Sequence, residues 1–400
     1  MSALALPSRL LMGPGPSNVH PRVREALAAP VLGHLDPLVL AMLAEIQDRL
    51  RVQFGTVHPL TLAVSGTGSA GIESCLAGLI ESGDRVVVEV RGFFGERMAE
   101  MAARAGGQVT RVESPWGQPA DLDRLRETCR TVRPRILAAV HAETSTGVGL
   151  ALEQVAAIAR EVEAELVVDC VTSLGGMPVE VDRYGITAAA SCTQKCLGAP
   201  PGLSPVTVSP PAAARIAARR QPTTFYLDLP LIARYWSGDH AYHHTIAVNL
   251  IYALREALTL AAEEGPGARH ARHARHGAAL ALGLEALGLE ILAPVAHRIP
   301  MLTAVRVPAQ VSDEAAIRRH LLTAFNLEIG GGLGELKGKI WRIGLMGETS
   351  RMNHVVMLLT ALGQVLGVAP SAIGWAIEAA GSQVEGAAAV QPAKSGYTSP

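Results

Sequence analysis

Short apolar runs alternate with longer amphipathic segments between about residues 59 and 208. Short runs separated by helical segments are typical of βαβ units around a mostly parallel sheet that is buried on both faces. The pattern therefore predicts a large α/β domain with a seven-stranded, mostly parallel sheet flanked by helices. We expect the strands at residues 60–64, 85–90, 108–112, 135–140, 165–169, 188–191 and 205–208.

Helices are predicted where apolar residues recur at i, i+3 and i+4, over residues 70–82, 95–105, 120–130 and 152–163. A longer helix over about 246–264 should end at Gly265-Pro266-Gly267, which are residues that stop helices. We place a domain boundary there, so that residues 21–265 form the large domain and residues 266–380 a small one.

The small domain should begin with an Ala/Leu-rich helix over residues 268–287. Residues 302–344 then follow the order strand, helix, strand, glycine turn, strand, which indicates a smaller α+β C-terminal domain. Residues 1–20 are predicted to be a separate N-terminal segment. Residues 381–400 are mostly Ala, Gly, Gln, Ser and Pro, so we expect a disordered tail.

Composition excludes several classes of partner. The 35 Lys and Arg residues nearly balance the 36 Asp and Glu residues, so no overall charge favours nucleic acid or an anionic membrane. The five cysteines form no CxxC pair and no metal-ligand spacing, which suggests free thiols in a reducing compartment. With no signal-peptide pattern or long apolar run, we expect a soluble cytoplasmic protein.

Residues 65–71, Ser-Gly-Thr-Gly-Ser-Ala-Gly, follow the first predicted strand and begin a predicted helix. Small residues at a helix N-terminus expose backbone N–H groups to an anion, so this segment predicts a phosphate site. A plain glycine-tolerant turn is the alternative. The segment also matches GxGxxG, with Glu89 on the next strand, so an NAD-dependent dehydrogenase is a rival hypothesis.

Lys195 ends the small and polar stretch 190–195, and Asp169 ends the apolar strand before it. A lysine and an acid in this arrangement suit an enzyme that carries pyridoxal 5′-phosphate as a Schiff base, because the carboxylate holds the protonated pyridine nitrogen. A dehydrogenase has no need of a lone lysine here. The structural alternatives are a surface lysine and a helix-capping Asp169.

Further candidates could complete such a site. Phe93 or Phe94, just after a strand, could cover a flat ring. Arg342 lies in the apolar run 340–345 and needs an anion, either a substrate carboxylate or an internal acid. Aromatic residues cluster within residues 215–242, which is typical of a surface that packs on something.

Two histidine groups invite a metal interpretation. His243 and His244 are adjacent, and His270, His273 and His276 alternate with arginines. The second set has no carboxylate or thiolate support, so it is better described as a basic helical stripe, and we predict no metal site.

With these residues in place, the chain resembles the class V, fold type I, pyridoxal-phosphate aminotransferases, and among them the alanine:glyoxylate and serine:glyoxylate (serine:pyruvate) aminotransferases. The resemblance covers nearly everything from residue 11 to about residue 366. The motifs that carry it are Gly13-Pro14-Gly15-Pro16-Ser17-Asn18, Ser65-Gly66-Thr67-Gly68, Glu143-Thr144-Ser145-Thr146-Gly147, Val168-Asp169-Cys170-Val171-Thr172-Ser173-Leu174-Gly175-Gly176, Thr193-Gln194-Lys195, Tyr242-His243-His244-Thr245, Gly330-Gly331-Gly332-Leu333-Gly334 and Arg342-Ile343-Gly344.

The resemblance implies a role for each matched position. Lys195 would hold the cofactor aldehyde and later move the substrate α-proton, and Asp169 would pair with the pyridine nitrogen. The cofactor site would further contain Thr67, Gly68, Ser69 and Gln194 at the phosphate, Thr144, Val171 and Phe94 around the ring, and Tyr242 and Thr245 from the other subunit of a homodimer. Arg342 would bind the substrate carboxylate, and the backbone around Gly15 would close over a small side chain.

The implied reaction is a ping-pong transfer of an amino group from alanine or serine to glyoxylate or pyruvate. Ureidoglycine:glyoxylate and pyridoxamine:pyruvate aminotransferases share the scaffold and are kept as alternatives, as is a non-catalytic dimeric scaffold. Two positions depart from the alanine:glyoxylate pattern, which most often has Trp where Phe94 stands and His where Ser69 stands. Residues 33–37 also belong to a region that varies with substrate.

Overall fold

The computed structural model describes residues 6–388 of the chain. Its strands are β1 Leu10–Leu11, β2 Leu60–Ser65, β3 Arg85–Val90, β4 Gln108–Glu113, β5 Ile136–Val140, β6 Ala142–Glu143, β7 Val148–Gly149, β8 Glu165–Asp169, β9 Ala188–Ala190, β10 Leu203–Val208, β11 Leu302–Arg306, β12 Leu327–Glu328, β13 Gly330–Gly331 and β14 Ile340–Gly344.

The helices alternate with these strands in the first half of the chain and dominate the second. They are α1 Pro21–Leu27, α2 Pro37–Phe54, α3 Gly68–Leu79, α4 Phe93–Arg104, α5 Leu122–Val132, α6 Leu152–Glu161, α7 Val181–Tyr184, α8 Pro210–Ala217, α9 Leu229–Ser237, α10 Val248–Glu264, α11 Pro266–Ala286, α12 Glu314–Phe325, α13 Met352–Val365 and α14 Pro370–Ala388.

The central sheet has seven strands in the order β2-β10-β9-β8-β5-β3-β4, which confirms the predicted α/β fold. Strand β10 runs antiparallel to both of its neighbours, while the other neighbouring pairs are parallel. All five residues of β5 are buried, as expected for a sheet covered on both faces. The parallel strands therefore bring their carboxyl ends to one edge, where α/β proteins bind ligands.

A second hydrophobic core lies in the C-terminal part of the chain. It packs α11, α13 and α14 against the three-stranded antiparallel sheet β11-β14-β13, with Trp341 fully buried between them. The N-terminal segment joins this core, because β1 pairs in parallel with β12 and Met12 is buried there. The domain boundary placed near residue 265 stays a prediction.

Most elements differ from their predicted bounds by one to three residues, and three of the differences have a physical explanation or a larger consequence. Helix α11 begins at Pro266 instead of residue 268, since proline is well suited to the first turn of a helix. Helix α4 begins at Phe93, two residues before the predicted start. The first part of the predicted disordered tail is wrong: α14 continues to Ala388, which suits the high helix propensity of its alanines. The rest of that tail lies outside the described residues.

None of the helices within residues 6–388 has the length and apolar character that a membrane crossing requires. The five cysteines are buried, unpaired thiols.

Candidate active site

A cavity of about 300 Å³ opens at the carboxyl edge of the central sheet. Asp169 ends β8, and Lys195 follows β9, the strand beside it. Most of the sequence-predicted site residues line this cavity: Gly15, Thr67, Gly68, Ser69, Phe94, Thr144, Asp169, Val171, Gln194, Lys195 and Arg342. Tyr242 and Thr245 are not among its lining residues.

The Lys195 side chain is 7% exposed, which contradicts the surface alternative. Its amine Nζ donates to two neutral hydroxyls, Thr172 Oγ1 at 3.3 Å and Thr144 Oγ1 at 3.5 Å. Burial without a directly bonded acid lowers the pKa of the amine below its usual range. A deprotonated amine is a nucleophile, so Lys195 is prepared to attack an aldehyde.

The Asp169 carboxyl is 4% exposed and accepts a hydrogen bond from the Val171 backbone N–H at 2.7 Å. Burial raises its pKa to about 6, although that hydrogen bond lowers it. A cation placed beside Asp169 in the cavity would restore the charged form. The carboxyl can therefore hold a protonated ring nitrogen.

Gly68 is the first residue of α3, so its backbone N–H belongs to the helix N-terminus where we predicted a phosphate. A Cβ on Gly68 would lie 2.7 Å from Val171 Cγ2, so a larger residue would close the cradle. The Gln194 side-chain oxygen is buried without a hydrogen-bond partner, and Ser69 Oγ accepts from Arg97 at 3.3 Å. The N–H groups at the start of α3 can donate to a phosphate, and Gln194 can do so through its amide nitrogen, whereas its buried oxygen is an acceptor.

In the structure, Glu89 is not placed as the acid that the dehydrogenase hypothesis requires. Glu89 is buried against Arg91 and does not line the cavity, so it is not placed to bind a ribose. Gly71, the last glycine of the GxGxxG match, has a packing explanation: a Cβ there would lie 2.1 Å from Ser204 Oγ on β10. The glycine pattern is thus explained without a dinucleotide.

Phe94 and not Phe93 lines the cavity, and the Lys195 amine lies 5.8 Å from the Phe94 ring centroid. Two features that sequence reasoning missed hold Phe94 in place. Glu143, which is fully buried, accepts from the Phe94 backbone N–H at 3.2 Å, and the Arg97 guanidinium lies 5.2 Å from the ring centroid. Arg97 stands one helical turn after Phe94, which is the signal that could have indicated it.

Arg342 is 6% exposed and extends from β14 to the cavity. It donates to the Gly331 carbonyl at 2.7 Å and to the Thr144 carbonyl at 3.3 Å. Burial lowers its pKa to about 10. No described carboxylate forms a salt bridge with this guanidinium, so the internal acid considered from the sequence is not found there, and the cavity offers a cationic partner to an incoming anion.

Tyr242 and Thr245 lie close together away from the cavity, with their side-chain oxygens 3.4 Å apart. Tyr242 is 62% exposed in this single chain. The neighbouring His243 and His244 bond to each other through their Nδ1 atoms at 2.7 Å. Across residues 6–388, no group of three His, Cys, Asp or Glu side chains is placed to hold a metal ion.

A buried lysine and a buried acid lie at one sheet edge and line the same cavity as the start of α3, an arrangement typical of α/β enzymes that use a lysine as nucleophile. The family model of the class V aminotransferases matches residues 39–331. The chain belongs to that family and is an aminotransferase.

Relatives of known name share most of the chain. The (S)-ureidoglycine–glyoxylate transaminase of Bacillus subtilis is 37% identical, over 91% of this chain and 92% of its own length. An alanine–glyoxylate aminotransferase of Drosophila melanogaster is 36% identical, over 91% and 93%.

Solved structures agree on the fold. The alanine–glyoxylate aminotransferase of Nostoc sp. matches with a TM-score of 0.89 and 48% identity, covering 92% of this chain and 97% of its own. The pyridoxamine–pyruvate aminotransferase of Mesorhizobium loti matches with a TM-score of 0.89 and 29% identity, covering 94% and 97%.

Proposed function

We propose that this aminotransferase uses pyridoxal 5′-phosphate to move an amino group from alanine or serine to glyoxylate or pyruvate. The observation that carries the proposal is one small cavity that joins the Lys195 amine, the Asp169 carboxyl and the Arg342 guanidinium. These groups supply a nucleophile, a ring anchor and a carboxylate receptor.

The cofactor, when bound, supplies an electron sink for the negative charge that forms when the substrate loses its α-proton. Asp169 would keep the ring nitrogen protonated, and Phe94 would cover one face of the ring. The proposed phosphate ligands are the residues at the start of α3 and beside the lysine, namely Thr67, Gly68, Ser69 and Gln194. Thr144 and Val171 are proposed to contact the ring.

Lys195 has two tasks in this proposal. Its amine, whose pKa is lowered by burial, would hold the cofactor aldehyde. When free, the same nitrogen would carry the proton that leaves the substrate Cα. Thr144 and Thr172 suit this second task, because their hydroxyls hold the amine in place without adding a charge that would fix its proton.

The substrate is expected to be small and to carry a carboxylate. Arg342 presents a planar donor pair for that carboxylate. The backbone at Gly15 limits the size of the substrate side chain. It packs so closely on the lysine that a Cβ at this residue would lie only 2.9 Å from Lys195 Cε. Alanine, serine, glyoxylate and pyruvate all satisfy both conditions.

Ureidoglycine and pyridoxamine are alternative amino donors. The first is supported by the name and 37% identity of the Bacillus subtilis relative, and the second by the Mesorhizobium loti structure at 29% identity. A dehydrogenase stays a remote alternative, since Glu89 is held by Arg91. A screen of these donors with glyoxylate and pyruvate as acceptors separates the transaminase activities.

We also propose a homodimer in which Tyr242 and Thr245 complete the cofactor site of the other subunit. Their distance from the cavity of their own chain and the exposure of Tyr242 support this. A cytoplasmic location belongs to the same proposal, since the five cysteines are free thiols as in reducing compartments.

The proposal is tested by borohydride reduction of the purified protein after incubation with pyridoxal 5′-phosphate. We expect a reduced cofactor adduct on Lys195 by peptide mass spectrometry, and its absence in Lys195→Ala. Turnover should fall by at least about a thousandfold in that variant, because the nucleophile and the proton carrier are lost together. Full activity of Lys195→Ala would refute the proposal.

A further inference from the structure

The basic stripe of α11, formed by Arg269, Arg272 and Arg275 with His270, His273 and His276, has no role in the site as described so far. Its inward side is deeply buried: Arg269 and His273 are both inaccessible to solvent or nearly so. Burial of a guanidinium and an imidazole is costly unless their hydrogen bonds are satisfied. The bonds that satisfy them lead directly to the lysine segment.

Arg269 binds the backbone on either side of the active site. Its Nη2 donates to the Cys196 carbonyl at 2.6 Å, and its Nε donates to the Gly175 carbonyl at 3.1 Å. The third contact is with Glu264 Oε2 at 2.9 Å, which balances the charge. Arg269 thus connects the residue after Lys195 with the loop that follows Asp169.

His273 acts one helical turn further along α11. Its Nδ1 donates to the Arg269 carbonyl at 2.8 Å, and its Nε2 accepts the Gly347 backbone N–H at 3.0 Å. Burial lowers the pKa of the imidazole to about 3, so the ring stays neutral and keeps this tautomer.

Gly347, which donates to His273, also packs against the backbone of the lysine. It has a φ of +54°, and a Cβ at this position would lie 3.2 Å from the carbonyl oxygens of both Lys195 and Cys196. The turn at Gly347 therefore rests on the lysine backbone. From the other side, Ser17 Oγ donates to the Lys195 carbonyl at 2.9 Å.

We propose that Arg269 and His273 are positioning residues that hold the Lys195 backbone against the cavity, so that its amine stays buried at the place where the aldehyde must bind. The inference rests on the proposed role of Lys195. The buried side of the stripe would then serve to place the nucleophile. It would also connect the C-terminal core with the lysine at the sheet edge.

Loss of either anchor should loosen residues 195–196 and admit water to the amine. The amine would then keep its proton to a higher pH, and less free base would be present near neutrality. Aldehyde capture requires the free base. The measured quantity is therefore the pH dependence of the rate at which the full-length protein, freed of cofactor, takes up pyridoxal 5′-phosphate, followed by absorbance.

The test variants are Arg269→Met and His273→Leu. We expect the midpoint of the rate profile to move upward by about one pH unit and the rate near pH 7 to fall about tenfold, since one unit of pKa changes the free-amine fraction tenfold. His273→Gln keeps an acceptor for the Gly347 N–H and should recover a nearly normal midpoint. Should Arg269→Met fail to fold, the comparison of His273→Leu with His273→Gln carries the test, because the two variants differ in the acceptor for the Gly347 N–H.

Arg215→Met is the matched control. Arg215 pairs with Glu165 and donates to the Leu79 carbonyl, but it does so at the start of β8, the end away from Asp169. We expect reduced stability toward urea and an unchanged rate profile.

A wild-type profile in folded His273→Leu, and in Arg269→Met where it folds, would overturn the inference, even if the proteins unfold at lower urea concentration. The proposed function fails separately, if the wild-type protein takes up no cofactor on Lys195.

Discussion

At the scale of single residues, burial of the Asp169 carboxyl makes the stability of the folded protein depend on pH. Burial raises the pKa of its carboxyl from 3.8 to about 6. Because the folded protein binds this proton more tightly than the unfolded chain, the stabilising contribution is fully present below pH 3.8 and is lost as the pH rises to about 6. Above pH 6 the cofactor-free protein carries a buried charge that the Val171 N–H hydrogen bond offsets only in part.

Asp169→Asn removes that charge and keeps the acceptor for the Val171 N–H. In cofactor-free protein at pH 7.5 we expect the variant to be more stable than wild type by up to about 3 kcal/mol, with no difference near pH 4. Urea unfolding at the two pH values measures this. The variant should also lose most of its affinity for pyridoxal 5′-phosphate. Equal stability at pH 7.5 would contradict the explanation.

The sequence was sufficient to select Asp169 and Arg342, because a charged residue at the end of or within an apolar run is conspicuous, and Lys195, because it follows the next strand after Asp169. It could not indicate Glu143 as the acceptor for the Phe94 N–H, nor choose between Phe93 and Phe94. These contacts join β6 to the start of α4. They form only when segments that are distant in sequence pack together, so the local sequence pattern does not indicate them.

At the scale of elements, α3 lies directly on the sheet because Gly71 has no side chain. A Cβ there would come within 2.1 Å of Ser204 Oγ, which is fully buried on β10. Gly71→Ala should destabilise the protein by about 1–3 kcal/mol, since the helix must move away from the strand. Thermal unfolding measures this loss. Gly374→Ala in α14 is the control for introducing a side chain into a helix where there is open space, since nothing lies within 4 Å of a Cβ there.

The strands were predictable because a parallel sheet with two covered faces requires continuous apolar runs, and β3 and β8 begin and end at their predicted residues. The direction of β10 was not predictable. Its residues are as apolar as those of its neighbours, and an antiparallel strand in this position is fixed by pairing with β2 and β9. Helix α14 was underestimated because composition alone does not distinguish an alanine-rich helix from a linker.

At the scale of the whole molecule, the proposed sharing of sites between subunits predicts complementation. Lys195→Ala lacks the nucleophile, and a Tyr242→Ala/Thr245→Ala double variant lacks the residues proposed to reach the other subunit. In a mixed dimer one site would combine an intact lysine with an intact Tyr242 and Thr245. We expect activity to return when the two inactive proteins are unfolded, mixed and refolded together.

The recovered activity should approach one quarter of the wild-type value per chain, because half of the randomly formed dimers are mixed and each has one complete site. Each variant refolded alone is the control. Absence of recovery, with mixed dimers shown to form, would mean that Tyr242 and Thr245 serve their own subunit or neither.

The cysteines on either side of Lys195 have a consequence for selectivity. Burial raises the pKa of Cys192 to about 12 and that of Cys196 to about 11, whereas it lowers the pKa of the lysine between them. Near neutral pH, no more than about one in ten thousand of these thiols is ionised. Neither sulfur lines the cavity, so a reactive carbonyl compound that enters it meets the lysine amine and not an ionised thiol.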